Sequence, residues 1–412
     1  MRRALYSFGI FCYKQVVKLV ACRNAKARKL TDGQHTVFSY LKEHTVPEGG
    51  YIWIHASSLG EFEQGRPIIE AIRAKYPHKK IALTFFSPSG YEVRKDYPLA
   101  DLVCYLPFDL PGNVSRFLDM VKPSVAIFIK YEFWGNYLHQ LHRRHIPTYI
   151  VSAIFRPNQR FFRSYGGFFR NMLRCFTHLY VQDVRSKELL AQHGIVNVSV
   201  VGDTRFDRVA DIRRQAKNLP LVKAFSNGRD TLIAGSSWPK DEDIFIDYFN
   251  RHPELKLIIA PHEIHDEHLT SIISKLQRPY IRYTQADEAG IAKADCLIID
   301  CFGLLSSIYQ YGTTAYIGGG FGAGIHNVPE AAVYGIPVVF GPNYEKFREA
   351  KALIAEGGAF TIANAEEFDS LMMKFASDKE YHTRCGEIAG EYIHRNTGAT
   401  ARILADIDAK LQ

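Results

Sequence analysis

Cysteine is scarce and unpatterned in this chain. Seven cysteines are scattered over 412 residues, at positions 12, 22, 104, 175, 296, 301 and 385. The odd number and the lack of any C-x-x-C pair argue against a disulfide framework and a structural zinc site, and fit a reducing compartment. No H-E-x-x-H motif occurs, and no metal is expected. Long apolar runs are missing too: residues 4–13 are mostly apolar but fall far short of the roughly 20 residues that a membrane-spanning helix needs. Acids are absent from the N-terminal stretch, where Arg2, Arg3, Lys14, Lys18, Arg23, Lys26, Arg28 and Lys29 all precede the first acid, Asp32.

What is present is globular material, 47% hydrophobic, and long enough for two domains of about 200 residues each. Lys and Arg number 51 against 43 Asp and Glu, a formal net charge of +8. That excess points to anionic partners, phosphates or an anionic membrane surface. Leu19, Val20, Ala21 and Cys22 have the form of a lipoprotein cleavage box, yet Lys14, Gln15 and Lys18 interrupt the apolar segment that a signal peptide requires. Residues 1–44 therefore read as a membrane-associating segment whose helix lies on the surface, each cation near anionic lipid contributing on the order of 1 kcal/mol. The alternative is a first helix packed on the core.

From residue 51 onward, short apolar runs alternate with helix-length segments. Runs at 51–55, 81–86, 102–106, 125–129, 149–152, 178–181 and 198–201 form a first series; runs at 231–235, 256–260, 296–300, 314–317 and 338–340 form a second. This alternation predicts two doubly wound parallel sheets. The boundary falls between residues 207 and 219, giving domains over 45–212 and 213–395 and a terminal helix over 396–412. Ligands of such sheets bind outside the carboxyl ends of the strands, so the strand exits carry the candidate residues.

The stretch around which the rest is organised runs from Ile317 to Glu330 and on to Pro342. Thr314 to Ile317 predicts a buried strand. Five glycines follow, suited to close backbone approach to a ligand, and Asn327, Pro329 and Glu330 predict a cap and first helical turn. Helix-start amides favour a bound anion without a metal; a set of tight turns is the alternative. His326 is a candidate phosphate donor. Gly318, Gly320 and Ala323 fit a dinucleotide fingerprint, but Pro329 follows too soon for that loop.

Two carboxylates stand at exits of the first series. Glu61 follows Gly60, where it either takes a proton from a hydroxyl or caps a helix. A positioned base contributes typically 10² to 10⁴ in rate, whereas a helix-start acid contributes about 0.3 to 1 kcal/mol. Glu132 lies beside Trp134, where burial would raise its pKa and a cation would lower it. His55 reads as a structural histidine. Residues 155–176 interleave Arg156, Arg160, Arg163, Arg170 and Arg174 with Phe161, Phe162, Tyr165, Phe168 and Phe169, a pattern that holds single-stranded nucleic acid or, favoured here by the basic N-terminus, a phosphorylated lipid. Nucleic acid is not an expected partner.

In this order the motifs resemble the 3-deoxy-D-manno-octulosonic acid (Kdo) transferases. The residues that carry the resemblance are Asn24 to Lys26 with Gly33, His55 to Glu61, Ser87 to Gly90, Leu106 to Asp109, Glu132 to Trp134, Gly202 to Asp207, Gly318 and Gly319, His326 and Asn327, Glu330, and Gly341 with Pro342. The resemblance implies a GT-B fold of two Rossmann-like domains facing across a cleft, a CMP-Kdo donor in the second and a lipid A precursor in the first. It makes Glu61 the catalytic base and Glu132 a second essential acid. On that division Ser58, Gly60, Ser89 and Gly90 would meet the acceptor. Gly235, Ser236, Ser237, Pro261, His262, Phe302, Gly303, Gly319, Gly320, His326, Asn327 and Glu330 would meet the donor. No cofactor beyond that substrate is implied. The expected place of action is the cytoplasmic face of a bacterial inner membrane.

The chain departs from the family's pattern at Trp238, where Ser-Thr-His becomes Ser236-Ser-Trp238. It also departs at Pro261-His262, which lacks the arginine of Pro-Arg-His, at Gly303-Leu304, and at the positions of Lys130 and Gly135. Other readings are a GT-B-like nucleotide-sugar epimerase and a non-enzymatic lipid- or nucleic-acid-binding protein.

Overall fold

Strands such as Ile52–His55 and Val125–Ile129 are buried at every position. A strand buried on both faces belongs to a parallel sheet covered by helices on either side, the arrangement that continuous apolar runs produce. The computed structural model describes residues 2–411 and holds two such sheets, each in its own unit.

The first unit comprises residues 1–208 and 397–412. Its strands are β1 (Ile52–His55), β2 (Ile81–Phe85), β3 (Leu102–Tyr105), β4 (Val125–Ile129), β5 (Thr148–Ala153), β6 (His178–Val181) and β7 (Val198–Val200), in the order β3-β2-β1-β4-β5-β6-β7. All neighbours pair in parallel, with Ile52 beside Ile81 on one side and Val125 on the other. The strand order reverses between β1 and β4, and that reversal opens a crevice at their carboxyl ends.

The second unit spans residues 209–396. Its strands are β8 (Thr231–Ser237), β9 (Lys256–Pro261), β10 (Tyr280–Arg282), β11 (Cys296–Ile298), β12 (Thr314–Ile317), β13 (Val338–Phe340) and β14 (Ala359–Thr361), in the order β10-β11-β9-β8-β12-β13-β14, again all parallel. Here the reversal lies between β8 and β12. The two three-residue edge strands, β10 and β14, have no counterpart in the apolar runs read from the sequence.

The last helix, Ala399–Leu411, returns to the first unit, where Ile403, Ile407 and Leu411 join the core under β1, β2 and β4. Asp207 fixes its start by accepting from the amides of Gly398 and Thr400. The first helix, Arg2–Val20, is docked along one side only. Tyr6 donates to buried Asp109 at 2.7 Å, Arg3 reaches Asn136 at 3.0 Å, and Val17 is buried. Its other side leaves Leu5, Phe8, Val16 and Leu19 exposed. Among the described residues no helix is long and apolar enough to cross a membrane.

The basic-aromatic segment is not a stacking platform. Phe161 is buried, and Phe162, Phe168 and Phe169 pack half-buried against the same core, joined ring to ring with Phe133 and Phe155. Arg170 is spent on the carbonyls of Phe161 and Arg163. Tyr165 alone of those rings stands well out in solvent.

Candidate active site

At the switch point of the first sheet, β1 ends in His55 and β4 in Ile129, and the loops beyond them bring four polar side chains together. Glu132 is buried, and its Oε2 accepts from Ser57 Oγ at 2.5 Å and from Trp134 Nε1, with His55 Nε2 at 2.9 Å. Behind His55, Thr84 on β2 lies 2.9 Å from Nδ1 and itself accepts from Trp53 Nε1 at 2.8 Å. Nδ1 also lies 3.1 Å from the Thr84 carbonyl oxygen, and Nε2 meets the Trp134 indole N–H at 3.0 Å as well as the carboxylate. Burial opposes ionisation of Glu132, but the donors His55, Ser57 and Trp134 outweigh it and hold its carboxyl below the usual range.

Glu61 lies in the first turn of the helix Leu59–Lys75, capped by Ser58. Its carboxylate accepts from the Ser58 amide at 3.1 Å, while Ser58 Oγ accepts from the Glu61 amide. The helix-start reading of Glu61 is therefore met by this reciprocal cap. Burial, and then the negative charge of Glu132, push its pKa up to about 8, against the pull of the Ser58 and Ser57 amides and of Lys130. Two carboxyl groups at one sheet edge are thus driven in opposite directions, the usual physical basis for dividing acid and base roles.

The expected acceptor residues do not share one environment. Gly60 is exposed, and a Cβ built there meets nothing within 4 Å. Ser89 is exposed and bonded to Ser87. Gly90, in contrast, is buried: a Cβ would lie 2.3 Å from the Phe85 ring and 3.1 Å from the Ser58 carbonyl carbon. Its missing side chain serves helix packing.

The second unit carries its named residues at the exits of β8, β9, β11 and β12, and the glycine run behaves differently from the expectation. A Cβ on Gly318 would meet Ser236 O at 2.2 Å, one on Gly320 would meet Gly341 N at 2.5 Å, and one on Gly235 would meet the Tyr309 hydroxyl at 2.0 Å. These glycines let chain approach chain, not chain approach ligand. Gly319 has φ +91°, and its amide donates to Asp241. Asp241 also accepts from the Trp238 amide and the Tyr316 hydroxyl, pinning the loop to the start of the helix Pro239–Arg251. Ser237 is buried and donates to Glu242, and Pro261 is buried within β9. Asn327 precedes the short helix Val328–Ala332 but does not cap it; its amide donates to Glu330 at 2.6 Å. That leaves Ser236, His262, Phe302, Gly303, His326, Asn327 and Glu330 accessible at this edge. Phe302 is 78% exposed, and Gly303 adopts φ +84°.

Among the described residues, no group of three or more His, Cys, Asp or Glu side chains is placed to hold a metal ion. The residues that sequence reasoning passed over are Ser57, Thr84 and Asp241, and it met Trp238 only as a departure from the family's pattern. Ser57 lay inside a stretch already singled out, and Asp241 three residues after Trp238 had the spacing of a helix-start acid. Thr84 left no signal, since only the sheet register puts it beside His55.

Two parallel doubly wound sheets in one chain, each with polar side chains at its switch point, define an α/β protein of the GT-B class. Solved structures of the same fold include UDP-GlcNAc 2-epimerase from Neisseria meningitidis (TM-score 0.61, 14% identity, 87% of this chain and 100% of that one). Another is MurG from Acinetobacter baumannii (TM-score 0.55, 12% identity, 87% and 99%). Sequence goes further. Residues 26–208 match the family model described as 3-deoxy-D-manno-octulosonic-acid transferase (kdotransferase). Proteins named 3-deoxy-D-manno-octulosonic acid transferase are similar along most of the chain. The one from Haemophilus influenzae is 24% identical over 97% of this chain and 96% of its own, and the one from Aquifex aeolicus 27% identical over 84% and 92%. The chain is thus similar to the Kdo transferases along most of its length.

Proposed function

We propose that the protein transfers Kdo from CMP-Kdo to a lipid A precursor in lipopolysaccharide synthesis, by direct displacement with inversion at the anomeric carbon. The observation that carries this reading is the carboxylate pair at the first switch point. Glu61, its pKa near the working pH, takes the proton from a sugar hydroxyl of the acceptor as that oxygen bonds to the anomeric carbon of Kdo. The bond from Kdo to the CMP phosphate breaks, and CMP leaves with the electron pair. Glu132, kept ionised, raises the proton affinity of Glu61 and holds His55 and Trp134 in place. At the second sheet edge, His262 and His326 meet the departing phosphate, a role that suits preorganised N–H donors.

The exposed apolar side of the helix Arg2–Val20, flanked by Lys18, Arg23 and Lys26, supports action at an anionic membrane surface. On this reading the protein works peripherally at the cytoplasmic face of the inner membrane. Incubation with CMP-Kdo and a tetraacylated lipid A precursor, followed by mass measurement of the lipid, should show a gain of Kdo that requires Glu61. An unmodified lipid with turnover of a soluble nucleotide sugar would replace this reading with the epimerase one.

A further inference from the structure

Three rings meet at the strand exits of the second sheet, and one hydrogen bond among them decides where a proton sits. Trp238 follows β8, His262 follows β9, and His326 closes the glycine loop after β12. The rings of Trp238 and His262 are 4.8 Å apart with 29° between their planes, and those of His262 and His326 are 4.4 Å apart at 27°. The indole Nε1–H of Trp238 points to Nε2 of His326 at 3.1 Å.

An indole nitrogen donates and does not accept, so the partner nitrogen must offer a lone pair. Neutral His326 then carries its one proton on Nδ1. Protonating Nε2 as well would set two N–H groups against each other. The surroundings act in the same direction: burial, and then the neighbouring His262, lower the affinity of His326 for a second proton. His262 is the titratable group stacked on it. The carboxylates nearby have other partners: Asp241 takes the amides of Gly319 and Trp238, and Glu330 takes the Asn327 amide.

We propose that Trp238 is a positioning residue that locks His326 in the neutral, Nδ1-protonated form, so that this sheet edge meets an anion with a neutral N–H donor and not with an imidazolium. The lock follows from the ring geometry alone; its use toward a nucleotide phosphate rests on the donor-site reading above.

The test is nitrogen NMR of the full chain labelled at histidine, with His326→Gln to assign the signal, on wild type and Trp238→Phe. In wild type, Nδ1 of His326 should be the protonated nitrogen, with the second proton gained only below the range of an ordinary histidine. In Trp238→Phe the Nε2-protonated form should appear and the titration midpoint should rise. A wild-type spectrum with the proton on Nε2 overturns the proposal whether or not the variant folds, and so does a folded variant with an unchanged tautomer. The second arm measures CMP affinity. The ratio of Trp238→Phe to wild-type affinity, in which the titration of the CMP phosphate itself cancels, should rise severalfold toward the acid end. Nδ1 protonation without CMP binding would refute the donor-site reading and leave the lock standing.

Discussion

Both sheets are parallel and reverse their strand order beside their first strand, between β1 and β4 and between β8 and β12, and at those reversals they place opposite kinds of chemistry. The first brings together ionisable groups, Glu61 and Glu132, whose proton affinities are pushed apart by burial and by donors. The second brings together backbone and rings: glycines packed against neighbouring strands, a neutral indole and two stacked imidazoles. Topology fixes where a ligand goes, and the side chains at the strand exits decide what is done to it. On the proposed reading, one edge moves a proton and the other receives charge without exchanging one.

The comparison breaks first at Glu61. Glu61→Gln keeps a side chain that can complete the cap, so the variant should fold while turnover falls by about 10² to 10⁴. Wild-type kcat/KM should climb with pH and level off above about 8, as Glu61 loses its proton. The same group has a stability signature. Its raised pKa means that the folded state holds the proton more tightly, a contribution complete below the unfolded value and lost as pH rises through about 8. Thermal melts should therefore favour Glu61→Gln over wild type increasingly toward alkaline pH.

Next in size is Glu132→Ala, which strands His55, Ser57 and Trp134 as donors without an acceptor. Loss of one partner in a buried charged network costs about 3 to 5 kcal/mol, readable by denaturant unfolding. Gly318→Ala tests the other edge. With Ser236 O and Ser237 Cα at 2.2 and 2.6 Å from the new methyl, the strain should cost about 1 to 3 kcal/mol. Smallest is Gly60→Ala: no atom crowds the site, so stability should rise by about 0.5 to 1 kcal/mol through helix propensity. A fall in turnover in that variant would then report substrate approach to Gly60.

Much of this was legible in the sequence, and what was not has particular causes. Strands β4, β12 and β13 coincide with the apolar runs at 125–129, 314–317 and 338–340, because a strand buried on both faces needs no partner to reveal it. Edge strands β10 and β14 escaped because Tyr280–Arg282 and Ala359–Thr361 are partly exposed and carry no such run. The helix Leu59–Lys75 carries Pro67 inside it, and the spacing of Ser58 and Glu61 is the signal that marks its start. The glycine run announces that something comes close, but only tertiary structure says that Ser236 and Gly341 do so. Likewise, arginines interleaved with phenylalanines have the same pattern whether the rings face a ligand or, as here, one another.

The return of Ala399–Leu411 to the first unit bears on how the protein is made. Ile403, Ile407 and Leu411 complete a core that β1, β2 and β4 have already begun, and Asp207 waits for Gly398 and Thr400. As the nascent chain leaves the ribosome, the first unit must hold that apolar surface uncovered while some 190 residues of the second unit are translated. A message cut short before the codon for Ala399 would yield a product whose second sheet is whole and whose first core is left unfinished.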